Sequence, residues 1–296
     1  MRVLITGANG LVGSALVKHC RLQGDDVLAY PREALDITNQ ESVTRTISEQ
    51  HPDIVINAAA WTDVDGCEFD HDRAFRVNAQ GPQNLAAASK QTSAAFLTIS
   101  TDYVFDGTKD GFYTQDDVPN PVSVYGHSKL EGEERASGVN PKTIVVRTGY
   151  VFGAGGSNFL STVVARGLRG EKMKAITDAR GTPTFAEDLA IRLRELASQK
   201  HTGIFHVVNS GPGATFEDFV RLALETVGKD PNMIEPVSVA SLARPAPRPA
   251  NSCLRCLRSA SLGLAPLPDW QDAVKRFAGH ELEARALAGG LAPARP

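Results

Sequence analysis

Short apolar runs recur through the first half of the chain, each closed by polar or glycine-rich residues. Arg2 to Thr6, Val27 to Tyr30, Asp53 to Ala60, Phe96 to Ile99 and Thr143 to Thr148 are of this kind. Continuous rather than alternating apolarity marks strands buried on both faces. Between them lie helical stretches: Leu11 to Leu22, a segment from a Thr38/Glu41 capping box to about Gln50, one from about Asp72 to Gln91, and one beginning after Pro119-Asn120-Pro121. Strand and helix in alternation predict an α/β fold, a doubly wound parallel sheet of Rossmann type. Beyond residue 150 the alternation becomes irregular. A helix is expected from Asn158-Phe159 to about Arg169, a loop over Asp178 to Thr184, a late strand over Phe205 to Asn209, and a helix capped by Thr215 ending near Gly228. The organisation expected is therefore a nucleotide-binding domain over 1–150 to which later segments also add strands, a smaller C-terminal lobe over 151–280 that binds substrate, and a loose tail over 281–296.

Composition narrows the class. With 296 residues, 42% of them hydrophobic, the chain can bury a sizeable core. A net charge of -3 offers no basic field for nucleic acid. Apolar runs stop well short of the ~20 residues that span a bilayer, and Met1 leads straight into a strand, so a cytoplasmic protein without a membrane partner is expected. Cys20, Cys67, Cys253 and Cys256 are too scattered for a disulfide framework, and no second Cys or His pair stands near Cys253 and Cys256 to hold a metal. No metal is expected.

Two clusters carry chemistry. Gly7, Gly10 and Gly13 join the first strand to a helix that opens with Leu11 and Val12, an arrangement that lets backbone approach a pyrophosphate at a helix N-terminus. After the second strand, Arg32 can meet a 2′-phosphate, which favours NADPH and leaves NADH as an alternative donor. The small residues Ala58, Ala59 and Ala60 end the third strand and permit close approach of a cofactor. The second cluster is Tyr125 with Lys129, four residues apart on one helix face. An ammonium beside a phenol of ordinary pKa ~10 favours the phenolate, making Tyr125 a general acid. Thr101, at the end of the preceding strand, can hold the carbonyl oxygen that Tyr125 protonates.

Together, Thr6 to Gly13, Ser100-Thr101-Asp102-Tyr103-Val104-Phe105 and Tyr125 to Lys129 resemble the extended short-chain dehydrogenase/reductases. Asn57 to Asp65, Arg147 to Gly153, Asp178 to Thr184, Arg248 to Ser252 and Leu267 to Trp270 are similar to the dTDP-4-dehydrorhamnose reductase family within them. The resemblance implies reduction by NAD(P)H of the 4-keto group of a nucleotide-linked 6-deoxyhexose. Tyr125 would be the acid, Lys129 would lower its pKa and bind the nicotinamide ribose, and Thr101 would orient the carbonyl. It also implies that Asp36 and Ile37 flank the adenine, and that Thr101, Asp102 and Tyr150 contact the sugar nucleotide. Asn158 is a further candidate for substrate contact, as is Arg248, which lies with Arg244 in the Pro/Arg-rich loop Ala243 to Asn251 and can meet a phosphate. Asn78 either braces the catalytic loop or is a buried structural amide. The family often has tryptophan where this chain has Tyr150. Sugar 4,6-dehydratases carry Asp-Glu where this chain has Asp102-Tyr103, which argues against dehydration. Two alternatives stay open at this stage: a non-catalytic regulatory subunit like the methionine adenosyltransferase beta subunit, and another nucleotide-sugar reductase or epimerase. A homodimer is compatible with the sequence without being required by it.

Overall fold

The computed structural model describes residues 1–154, 159–199 and 201–289. Strands β1 (Arg2–Thr6), β2 (Asp26–Tyr30), β3 (Ile54–Asn57), β4 (Ala95–Thr101) and β5 (Thr143–Thr148) pair in parallel, and a sixth strand, Gly203–His206, lies beside β5. The spatial order is β2, β1, β3, β4, β5 and then Gly203–His206. From β1 the chain goes one way to β2 and then crosses back to β3. In such sheets the crevice beyond the carboxyl ends of the two diverging strands is where ligands collect.

Helices cover both faces. The pleat sends Val3 and Ile5 to one side, where they pack with Leu16 of α1 (Leu11–Leu22) and Leu189 and Leu193 of the helix Ala186–Gln199. Leu4 points the other way, into a core with Val43 and Ile47 of α2 (Gln40–Gln50), Val55 and Phe96. The chain after β3 forms α3 (Val64–Phe69) and α4 (His71–Phe75), passes through a π-helical turn at Arg76–Gln80, and continues as α5 (Gly81–Gln91). Helix α6 (Val124–Val139) then lies beside α5. A further core, built from segments that follow β5, centres on Phe152, Phe185, Phe219, Trp270 and Phe277. Among the described residues no helix is long and apolar enough to cross a membrane.

Several sequence expectations are corrected here. Helix α2 is capped by Asn39, whose side chain accepts from Ser42 N at 3.0 Å, because the Thr38 hydroxyl is already donated to Asp36 at 2.8 Å. The 72–91 helix is interrupted by the π turn. The late strand is Gly203–His206 rather than 205–209. A helix spans Trp270–Gly289, past the point where a loose tail was expected, since Phe277, Ala278 and Leu282 give it an apolar stripe on the last core. Residues 290–296 lie outside the described residues.

One buried ion pair fixes α6 to the sheet. Arg147 of β5 donates to Glu133 of α6 from Nε at 3.0 Å and from an Nη at 2.7 Å, with side-chain exposures of 2% and 5%. The guanidinium also lies 5.2 Å from the centre of the Phe105 ring. Removing one partner strands the other charge in the core. Arg147→Met is therefore expected to lower unfolding free energy by about 3–5 kcal/mol, read from urea denaturation, and Arg147→Met with Glu133→Leu to lose clearly less. Equal losses in single and double variants would remove the pair from this role.

Candidate active site

The crevice starts with a steric constraint. Gly7 has φ +67°, and a Cβ there would lie 2.7 Å from the backbone of Ala58 and Ala59, so the turns after β1 and β3 meet too closely for any side chain. A Cβ on Gly13 would lie 2.1 Å from Gly7 O, which presses the first turn of α1 onto the same point. Below, a buried polar file crosses the sheet: Thr6 Oγ1 donates to Asn57 Oδ1 (2.7 Å) and Asn57 Nδ2 to Thr98 Oγ1 (3.1 Å). The helix itself starts at Gly10 with no side chain capping it and no acidic residue in its first turn. Its amides are left for a ligand.

Two adjoining cavities open from this crevice. The first, about 390 Å³, is lined by Gly7, Gly10, Arg32, Asp36, Ile37, Ala58, Ala59 and Ala60 together with Trp61, Arg73, Arg76 and Val77. Asp36 is held below the usual carboxylate range, first by the Thr38 N–H and further by Arg32 and Arg76. The second, about 470 Å³, shares Gly10 and Ala58 to Ala60 and adds Leu11, Val12, Thr101, Asp102, Tyr125, Lys129, Tyr150 and Phe216. Both fall in the size range of small-molecule sites.

Local structure aims the reactive side chains. Ser123 caps α6 by accepting from Gly126 N at 3.2 Å, and Glu68 accepts from Val124 N at 2.8 Å, so the turn bearing Tyr125 is held at both sides. Tyr125 meets Tyr103 edge to face, with centroids 6.0 Å apart. Lys129 is 5% exposed, and burial brings its pKa down to about 8, against the opposing pull of Glu133. Its ammonium donates to Ile99 O at 2.6 Å. Burial pushes the Tyr125 phenol above its ordinary value, opposed by a hydrogen bond from Thr101, and Lys129 lines the same cavity as the phenol. Asp102 is 3% exposed, and burial raises its carboxyl to about 6 despite nearby hydroxyls. Tyr150, at φ +46°, stacks on Phe216 with centroids 4.5 Å apart, its other side against Gly181.

Most of the expected residues thus share one crevice. Arg248 does not itself line either cavity: its guanidinium grips Asp65 at 3.0 and 2.9 Å, closing the Pro/Arg-rich loop onto α3. Asn158 lies outside the described residues. Asn78 braces the loop after β3: its amide donates to Trp61 O (3.0 Å) and Ser128 Oγ (3.0 Å), and its oxygen accepts from Trp61 N (2.8 Å). Arg73, Arg76 and Phe216 were missed from sequence. Residues 73, 76 and 77 recur at helical spacing and could have been read as one face. Phe216 carries no local signal, because only tertiary packing brings it to Tyr150. Among the described residues no cluster of His, Cys, Asp or Glu could hold a metal.

Residues 1–282 match the family model described as RmlD substrate binding domain. The chain belongs to this family. A dTDP-4-dehydrorhamnose reductase of Mycolicibacterium smegmatis is 39% identical over 277 residues, covering 93% of this chain and 84% of that protein. The crystal structure of a dTDP-4-dehydrorhamnose reductase from Clostridium acetobutylicum superposes with a TM-score of 0.90 at 37% identity, over 94% of this chain and 98% of that one. That of the Bacillus anthracis enzyme, solved in complex with NADP, gives 0.89 at 33% identity, over 93% and 98%.

Within this RmlD-type crevice, the Asn78 bridge yields a direct test. Asn78→Ala leaves Trp61 N without its partner and Trp61 O with only the distant Cys67 thiol, at about 1–3 kcal/mol. The expected result is a lower urea midpoint and red-shifted Trp61 emission, recorded in a Trp270→Phe background. An unchanged spectrum would show that the loop stands without the bridge.

Proposed function

We propose that this chain is an NADPH-dependent reductase of the 4-keto group of a nucleotide-linked 6-deoxyhexose, with dTDP-4-dehydro-L-rhamnose as its substrate and dTDP-L-rhamnose as its product. The observation that carries the reading is that Thr101, Tyr125 and Lys129 line one cavity which continues into the glycine crevice. The names of the relatives, and the NADP bound to the Bacillus anthracis enzyme, support the same chemistry.

The residues fit the cofactor. The uncapped start of α1 offers amides to a pyrophosphate, and Arg32 and Arg76, both lining the first cavity, would hold an adenosine 2′-phosphate, which favours NADPH over NADH. When bound, the dihydronicotinamide supplies the hydride. The chain supplies the rest: Thr101 holds the carbonyl oxygen, Tyr125 delivers a proton to it, and Lys129 binds the ribose and keeps a positive charge near the developing oxyanion. The Tyr150–Phe216 stack forms an apolar wall for the sugar, contributed with the segments after β5 that serve as the substrate-binding lobe. Arg248 acts on the substrate indirectly, by holding its loop against α3.

Tyr125→Phe keeps the ring and removes the proton. Turnover of dTDP-4-dehydro-L-rhamnose should fall by ~10²–10⁴ while NADPH still binds. Near-full turnover would sink the assignment of the acid, and a wild type that binds NADPH but reduces no nucleotide sugar would favour the regulatory-subunit reading. Separately, Arg32→Ala should bring the dissociation constants of NADPH and NADH closer together; if their ratio stays where it was, Arg32 is not the phosphate contact.

A further inference from the structure

Tyr125, Lys129 and Glu133 are spaced four residues apart, so one face of α6 carries a phenol, an ammonium and a carboxylate in a row. All three are buried. Lys129 reaches β4, where its ammonium donates to Ile99 O at 2.6 Å. Glu133 reaches β5, where Arg147 grips it, and Arg147 is the register partner of Ser100, the residue after Ile99. Two cations and one carboxylate are thus gathered between one helix and two neighbouring strands. The helix is pressed close on its other side as well, since a Cβ on Gly132 would lie 2.1 Å from Asn78 O in the π turn.

We propose that Glu133, held in place by Arg147, is a positioning residue that keeps Lys129 charged in the dry crevice. The proposal rests on the reading of Lys129 as the cation beside Tyr125 and the nicotinamide ribose. Burial works against that charge, because an ammonium stripped of solvent sheds its proton. An anion one helical turn away, in the same dry layer, opposes the loss with little screening, and Glu133 does act on Lys129 in that direction. It does so without taking the ammonium for itself. Among the described residues the Glu133 carboxylate pairs with Arg147, at 2.7 to 3.2 Å, and forms no ion pair with Lys129. A carboxylate free to swing would close on Lys129 and occupy the N–H groups that the ribose needs. Held from β5, it supplies a field and no contact. Glu133 lines neither cavity and so acts only through Lys129.

No other ionisable group around Lys129 takes this part. Tyr125 on α6, Tyr103 after β4 and Tyr150 after β5 line the same cavity, and Cys67 of α3 packs against Tyr125. Burial pushes Tyr103 up to about 12, Cys67 up to about 11, and Tyr125 and Tyr150 above their ordinary values, so all four are neutral where Lys129 titrates, at about 8. Asp102, raised by burial to about 6, is ionised at that pH, yet the charge that Lys129 feels is that of Glu133. Arg73 and Arg76 line the first cavity and not this one.

The test compares wild type, Glu133→Gln, Glu133→Asp, Lys129→Met and the double variant Arg147→Met with Glu133→Leu, using NADPH and dTDP-4-dehydro-L-rhamnose across a pH series from 6 to 9.5. Wild-type kcat/KM for the sugar should fall as pH rises through about 8, where Lys129 loses its charge. The dissociation constant of NADPH, read without turnover, should rise over the same interval. In Glu133→Gln both midpoints should move towards acid by about one pH unit. Glu133→Asp keeps the charge and should keep both midpoints near those of wild type. The double variant removes the carboxylate without stranding Arg147, so it guards against a misfolded single variant. Its midpoints should move in the same direction by less, since the Arg147 charge goes with it. A carboxylate that only fastens the helix would give lower urea midpoints and weaker activity with unmoved pH midpoints, and that result overturns the proposal, as does a Glu133→Asp profile that matches Glu133→Gln. If Lys129→Met keeps full turnover and NADPH affinity, the reading of Lys129 fails first. If Lys129→Met loses both while Glu133→Gln and the double variant titrate as wild type does, the role of Glu133 alone fails.

Discussion

The architecture hangs on a contact with no side chain in it: the backbone of Gly7 against the backbone of Ala58 and Ala59. A side chain at Gly7 or Gly13 would force β1, β3 and α1 apart by more than the sheet can absorb. Because they touch, the helix start, the ends of two strands and the loop leading to Trp61 form a single rigid rim. The polar file Thr6–Asn57–Thr98 then locks the strand ends in register beneath it. The glycine crevice takes its shape from that rim, while Tyr125 and Lys129 are carried by α6, which is tied to the sheet by Arg147 and Glu133.

Electrostatics in the second cavity are governed more by dryness than by pairing. Lys129, Tyr125 and Asp102 are all pushed towards their neutral forms by burial. A site whose acids and bases are kept close to neutral spends little energy on reorganising solvent when a proton moves. The first cavity is the opposite: Asp36 stays ionised among its amide donor and two guanidiniums, as suits a charged end of a ligand.

Much of this was readable in the sequence because the relevant signals are local. The glycine turn, the apolar strand runs and the i,i+4 spacing of Tyr125 and Lys129 each lie within a few residues, and the structure gathers them at one crevice. What escaped depends on partners far away in the chain or on competition between neighbours. Arg248 looked available for phosphate until Asp65, 183 residues earlier, claimed it. Thr38 and Asn39 are both competent caps, and only the capture of Thr38 by Asp36 decides between them. The rise of the Tyr125 pKa on burial could not be inferred from its spacing to Lys129, since that spacing says that two side chains share a helix face and nothing about how dry that face is. The stripe on the Trp270–Gly289 helix was masked by an Ala- and Gly-rich composition.

The placement of Gly203–His206 beside β5 has a consequence for how the molecule is made. Until that strand arrives, the β5 edge is open, with a row of apolar residues and unpaired amides ready to meet any other edge. A chain emerging from the ribosome must therefore thread out some two hundred residues before its sheet is covered. The segments between β5 and that strand, which include Tyr150 and Val151 on the wall of the second cavity, are synthesised while the sheet waits. Variation in that stretch is thus constrained twice over, by the cavity it lines and by the interval for which it leaves an adhesive edge exposed in the cell.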